Sequence, residues 1–241
     1  MMDTKEAKKI VDYVFMDVFG VENPLSLDEA REVFAYDIPL PEKVKAYGGD
    51  DYTWGIFDKN DRVVPFAHLL EKSGKTDFMQ PKKSLGSMSD LLNEWDKLNY
   101  HVGGRYLDSK DILESDGIYE SSNIYRSSLQ FGCQNIVYCY QNANSKYLVA
   151  SRDNGASTLG IRFNQNKYCS SGYDVIWSGK VSKSMYIRDS VDLYECLFCS
   201  QLRSKKYCVA NMQFEKEEYF KIKKMVCEWT VDQLKKGKPI R

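Results

Sequence analysis

The chain has 241 residues, with 34 Lys plus Arg against 34 Asp plus Glu, 43% hydrophobic and 28% charged. That length buries a sizeable core in one or two domains, and a net charge of zero leaves no global electrostatic drive toward nucleic acid or an anionic membrane. No stretch approaches the roughly 20 apolar residues of a membrane span, the N-terminus reads as a charged amphipathic segment and not a signal peptide, and seven cysteines, an odd number, read as free thiols in a reducing cytoplasm, with a virus particle as a compatible setting.

Residues 4–19 predict a helix. Ile10, Val11, Val14, Phe15, Val18 and Phe19 recur on one face, Asp3 or Thr4 caps its start, and Gly20 ends it. "SLDE" at 26–29 is a capping box that opens a short helix through Phe34, and "DIPLP" breaks it. "YTWGIF" and "RVVPF" suit two strands with "DKND" as the turn between them. A third helix is predicted over 88–99, burying Leu91, Leu92, Trp95 and Leu98, and "HVGGRYLDSKD" reads as a link. The final helical pattern starts near "EKEEYF". It places Tyr219, Ile222, Val226, Trp229 and Gln233 on one stripe, with Gly237 as its stop.

Between these segments lies a repeat. Ser115, Ser121, Ser127, Cys133, Cys139, Ser145, Ser151 and Ser157 stand six residues apart. The third place of each hexad is often aliphatic, as at Ile118, Ile124, Ile136 and Leu148. The frame is lost across "TLGIRFNQNKYCSSG" and returns at Ser178, Ser184, Ser190, Cys196 and Cys208. A helix of 3.6 residues per turn smears such a period around its surface, whereas a solenoid of short strands needs a small residue at each bend. The expected fold class is mainly β with α: a hexad-repeat parallel β-solenoid, or β-helix. In this reading 1–114 form a mixed α/β N-terminal region. Residues 115–214 form about five triangular coils of three hexads each, with a loop or altered corner at 158–172, and 215–241 supply a C-terminal capping helix and tail.

Candidate chemistry is sparse. Hexad solenoids occur in acyltransferases and in a class of zinc carbonic anhydrase, but their chemistry needs histidine, and His68 and His101 both precede the repeat. Asp174 and Asp192 share a hexad place 18 residues apart, so triangular coils would stack them as a carboxylate pair like that of a glycan hydrolase or lyase, with Arg188 or Lys180 near enough to neutralise it. Cys196, Cys199 and Cys208 hold one C-x-x-C, half a zinc site; as core thiols they behave as small hydrophobes. The 17 tyrosines suit half-buried packing or an aromatic stripe for glycans or a partner. "EKSGK" and "KKSLGS" lack phosphate-loop spacing, and "LKKGKPIR" is a short basic tail.

The segment 196–225 resembles the end of a group of uncharacterised bacterial repeat proteins rich in Cys, Tyr, Asn and Ser. These finish with a Cys-x-x-Cys, a Tyr-Cys-x-x-Asn element and a Lys-Glu-Glu-Tyr helix start. The matching residues are Cys196, Cys199, Tyr207, Cys208, Asn211, Lys216, Glu217, Glu218 and Tyr219. The looser repeat before them extends the resemblance over about half the chain. Members of that group often carry zinc-ribbon cysteines near the N-terminus, and this sequence has none there. The resemblance implies a repeat architecture and no activity.

The functional expectation is a non-enzymatic structural or interaction scaffold that engages a protein partner or copies of itself. It has no cofactor and no nucleic-acid or membrane partner. Two alternatives stand beside it. One is a carbohydrate-active enzyme on Asp174 and Asp192, with polysaccharide as its partner. The other is a small zinc module on Cys196, Cys199 and Cys208.

Overall fold

The computed structural model describes residues 1–72 and 79–238. The end of "EKSGK" and the last three residues of the basic tail lie outside them. Mainly β architecture with a parallel β-solenoid is present, with helices at both ends of the chain.

The local rule of the solenoid is a tripeptide. Every third residue from Asp108 to Ala210 has a positive φ, between 46° and 68°. Only Gly117 and Gly132 among them are glycines. Two extended residues and one left-handed corner therefore alternate, and four such units close a coil. Pairing joins each residue to the one twelve further on: Ser122 to Gln134 to Lys146, and Asp116 to Ser128 to Tyr140. The coil is twelve residues, two hexads and not three, so the stack has about nine coils where about five were expected. It begins at Tyr106, inside the stretch read as a link.

Of each tripeptide, one residue points into the tube. The inward places alternate along the chain between the aliphatic and the Ser/Cys positions of the hexad. The small residues are there because the bends leave backbone groups to satisfy. Ser127 Oγ donates to the Tyr125 carbonyl at 2.8 Å and accepts from the Cys139 amide at 2.9 Å. Ser151 repeats this with Val149 and Phe163. Cys139 Sγ stands in for the hydroxyl, accepting from the Ser151 amide at 3.3 Å. Another inward column carries amides: Asn142 Oδ1 accepts from the Asn154 amide, Asn154 Oδ1 from that of Asn166, and Asn166 Oδ1 from that of Ser178. Ser151→Ala is expected to strand the Phe163 N–H inside the tube and to lower stability by about 1–3 kcal/mol. Ser151→Cys should cost less, because Cys139 already fills the same role. Urea denaturation of the two variants measures the difference.

No loop interrupts the stack at 158–172. Regular strands Thr158–Asn164 and Ser170–Ile176 occupy it. Two neighbouring inward columns exchange roles instead. One reads Ser115, Ser127, Cys139, Ser151 and then Phe163, Val175, Ile187. The next reads Ile112, Ile124, Ile136, Leu148 and then Gly160, Gly172, Ser184. Phe163 makes the exchange. Its ring fills the space beside Gly160, where a Cβ would lie 2.4 Å from ring carbons.

A second core lies outside the tube. One outward column is apolar throughout: Tyr125, Val137, Val149, Ile161, Tyr173, Met185 and Leu197 are all buried. Helix α1 (Thr4–Phe19) runs across five of these strands and buries Val11, Val14, Phe15, Val18 and Phe19 against them. Asp3 caps it by accepting from the Glu6 amide, and Gly20 ends it at φ 73°. Helix α2 (Leu27–Phe34) starts at the predicted capping box of Ser26 and Glu29.

The region between α2 and the solenoid is a set of small pieces. Strands β1 (Glu42–Lys45) and β2 (Tyr52–Gly55) pair antiparallel. The predicted partner of β2, strand β3 (Val63–Pro65), instead pairs in parallel with β4 (His101–Gly103). Helix α3 (Phe66–Lys72) follows β3, and helix α4 (Met88–Asp96) forms as predicted. Its apolar stripe is not buried: Leu91, Leu92, Trp95 and Leu98 are all exposed.

Helix α5 (Lys216–Lys235) is the expected C-terminal helix. It lies on the flank of the last coils, the same flank that α1 covers. Tyr186 hydrogen-bonds Thr230 at 2.8 Å, and Glu195 holds Lys223 and the Tyr219 hydroxyl. Thr230 and not Trp229 faces the solenoid, so the buried stripe is rotated from the predicted one. At the final coil Met212–Gln213 folds back antiparallel on Cys208–Val209. Lys205 occupies an inward place but is exposed, a charge that discourages edge-to-edge pairing.

Candidate binding surface

The predicted carboxylate pair is not assembled. Eighteen residues are one and a half coils of twelve, so Asp174 and Asp192 stand at opposite corners of the tube. Asp192 is exposed. Asp174 is buried beneath the helical layer, where the Arg188 guanidinium meets its Oδ2 at 2.5 Å and Arg162 Nε lies 3.8 Å from its Oδ1. Arg162, also buried, makes a paired contact with Asp37 at 2.8 and 3.1 Å, donates to the Phe34 carbonyl and stacks on Tyr36. This network locks α2 onto the solenoid. Burial raises the Asp37 carboxyl, but the hydrogen bond and charge of Arg162 outweigh it and hold the group below its ordinary value.

The three candidate cysteines do come together, inside the tube. Cys196 and Cys208 are register partners in adjacent coils, and Cys199 occupies the next inward column. Both thiols are taken up by backbone: Cys196 Sγ donates to the Tyr194 and Lys205 carbonyls and Cys199 Sγ to that of Leu197, and the closeness of the two thiols pushes Cys196 up and Cys199 down. Burial pushes Cys169, deeper in the stack, up to about 11. Among the described residues no group of three or more His, Cys, Asp or Glu is arranged to hold a metal ion. Many tyrosines are also structural: Tyr138, Tyr173, Tyr186 and Tyr219 are buried under the helices.

Among the described residues none covers the flank opposite the helices, and there the chain builds a shallow trough of about 670 Å³. Its floor is the outward column Phe131, Ala143, Gly155 and Lys167, one residue per coil. Gln141, Asp153, Gln165 and Trp177, on successive left-handed corners, form one wall. Phe131, half exposed and stacked on Tyr119 with centroids 4.7 Å apart, closes one end. Trp177, 62% exposed, stands at the other. Gly155 has no positive φ, and a Cβ there would meet nothing nearer than 3.6 Å. Neither backbone nor packing requires glycine at this place.

A separate apolar cleft of about 680 Å³ lies between the end of α1 and α5, over Val18, Phe19, Phe220, Cys227 and Val231. Charges of both signs rim it, Asp17 and Glu228 with Lys223 and Lys235. Sequence reasoning missed the trough because a column such as Ala143–Gly155 becomes visible only at a spacing of twelve.

No known family model matches the chain, and no solved structure does. A stretch of 80 residues, 32% of the chain, is 31% identical to an uncharacterised protein of Aquifex aeolicus (strain VF5) and covers 71% of it.

Proposed function

Given that the chain belongs to one family with this Aquifex aeolicus protein, whose description carries no activity, we propose from the geometry that it is a non-enzymatic binding scaffold. Its solenoid presents the uncovered flank to another macromolecule. The observation that supports this reading is the asymmetry of the rod. One flank is apolar and sealed by α1, α2 and α5, while the opposite flank shows Leu107, Phe131, Tyr168, Trp177 and Val191 to solvent. Large apolar side chains aligned on a rigid surface mark interaction sites.

Hydroxyl-radical footprinting tests the proposal without knowledge of the partner. Oxidation of Phe131, Tyr168 and Trp177 is expected to fall several-fold in native lysate relative to buffer, with Trp229 on α5 as the dose reference. Equal oxidation of flank and reference residues in both media would sink the proposal. The uncovered stripe of α4 favours a second, protein-facing surface, because Leu91, Leu92, Trp95 and Leu98 have the spacing of helix-in-groove anchors.

A further inference from the structure

We infer that the trough on the uncovered flank binds an uncharged, extended polysaccharide chain laid along the solenoid axis. The inference rests on the scaffold reading and names its occupant.

Four features converge on that ligand. The first is the space itself. Ala143 and Gly155 give the middle of the floor only a methyl group and a hydrogen, with the Lys167 stem passing 3.6 Å from where a Gly155 Cβ would lie, and glycine at 155 has no backbone or packing cause. A channel kept open along three coils suits a linear polymer better than a compact metabolite.

The second is the chemistry of the walls. Gln141, Asp153 and Gln165 offer two amides and one carboxylate, groups that give and take hydrogen bonds from neighbouring hydroxyls. Phe131 and Trp177 offer exposed ring faces at the two ends, which suit the C–H faces of pyranose rings. Apolar platforms with a few placed polar groups are the usual make-up of a ligand site.

The third is charge. Asp153 and Lys167 are the charged residues of the lining, and they cancel. The trough has no field to attract a polyanion or a polycation, which excludes nucleic acid and acidic glycans as preferred occupants.

The fourth is the repeat. Equivalent wall groups recur once per coil, about 4.8 Å apart. That spacing is close to the length of one sugar unit in an extended β-linked chain, so successive units meet successive wall groups. An extended peptide repeats its side chains every two residues, at about 6.6–6.8 Å, and drifts out of step. Nor can a peptide add as a strand here. The coil-to-coil ladder Tyr140–Arg152–Asn164 and Ala143–Gly155–Lys167–Gly179 already uses the backbone of this flank.

Affinity electrophoresis and sedimentation with purified full-length chain test the inference. The probes are cellulose, chitin and mixed-linkage β-glucan, with alginate as the charged comparison. The wild type is expected to be retained by at least one uncharged polysaccharide, with affinity unchanged between low and high salt. Gly155→Trp, which fills the floor without backbone strain, should weaken retention at least tenfold. Trp177→Ala should weaken it in the same direction, and circular dichroism should show both variants folded. Lack of retention on every uncharged probe, tighter binding to alginate, or a Gly155→Trp variant retained like wild type overturns the inference. Protection of the flank in lysate with no polysaccharide bound would overturn this assignment and leave the scaffold reading intact. Loss of both signals removes both.

Discussion

Phe163→Ala is expected to destabilise the protein by about 3–5 kcal/mol, the range for emptying a buried aromatic site. Phe163 is 1% exposed and fills the middle of the tube where the inward columns exchange roles. Its ring takes the room left by two glycines. A Cβ at Gly160 would lie 2.4 Å from ring carbons, and one at Gly172 would lie 3.0 Å from the ring and 2.8 Å from the Ser184 carbonyl oxygen. The two glycines therefore predict opposite outcomes in the variant. Gly160→Ala should cost about 1–3 kcal/mol in wild type through overpacking, but should recover stability when added to Phe163→Ala. Gly172→Ala should recover none, because its obstacle is backbone. A double-mutant cycle by chemical denaturation reads these terms. If Gly160→Ala fails to rescue Phe163→Ala, the account of the exchange is wrong.

Arg162→Ala is expected to cost about 3 kcal/mol, the low end for breaking a buried ion pair. Arg188 still holds Asp174, so the low end applies. The damage should be local at first. Arg162 ties Asp37 and the Phe34 carbonyl to the solenoid, so hydrogen exchange should rise in α2 before the tube is affected. The network also predicts a pH dependence. Asp37 ionises more readily folded than unfolded. Its contribution is thus complete above the ordinary carboxylate value of about 3.9 and is lost as pH falls through the lower folded value. Wild type should show α2 loosening in that acid window. Arg162→Ala should show it at neutral pH with little further change on acidification. An unaltered acid profile in Arg162→Ala would remove Arg162 as the cause.

The hexad was legible because Ser115 to Ser157 repeats without a miss. The size of the coil was not, because six divides twelve and eighteen alike. The stacked pair of Asp174 and Asp192 failed for that reason alone. A better signal was present in what certain places exclude. Positions 108, 111, 114 and onward to 210 contain no Val, Ile or Thr, although Ile112, Val137, Thr158 and Val175 lie between them. A positive φ is a genuine outlier for a β-branched residue, so the gap marks the corners. The same three-residue count runs unbroken through 158–172, where the hexad frame shifted by three because Phe163, Val175 and Val181 took places that had held Ser and Cys while Ser178, Ser184 and Ser190 took up the neighbouring places. Ser26, Glu29 and Gly20 were legible because caps are local chemistry. The burial of α4 was misjudged because an apolar stripe states what a helix can cover and not whether anything covers it. The trough was hidden for a related reason: Ala143 and Gly155 are ordinary residues until a neighbour twelve away is identified.

Helix α1 has a further consequence for how such a molecule can change in length. Its 16 residues span about 24 Å at 1.5 Å each, enough to cross the four spacings of about 4.8 Å between the five strands beneath it. It acts as a ruler laid against the rod. Insertion or deletion of a whole coil beneath it would shift Phe19 off Tyr173 unless the helix changed by about three residues. The coil next to Tyr173, paired through Met185, is already held by α5 through Tyr186 and Thr230, so the two helices gauge adjoining stretches of the rod and a twelve-residue gain or loss beneath either should be felt at the helix above it.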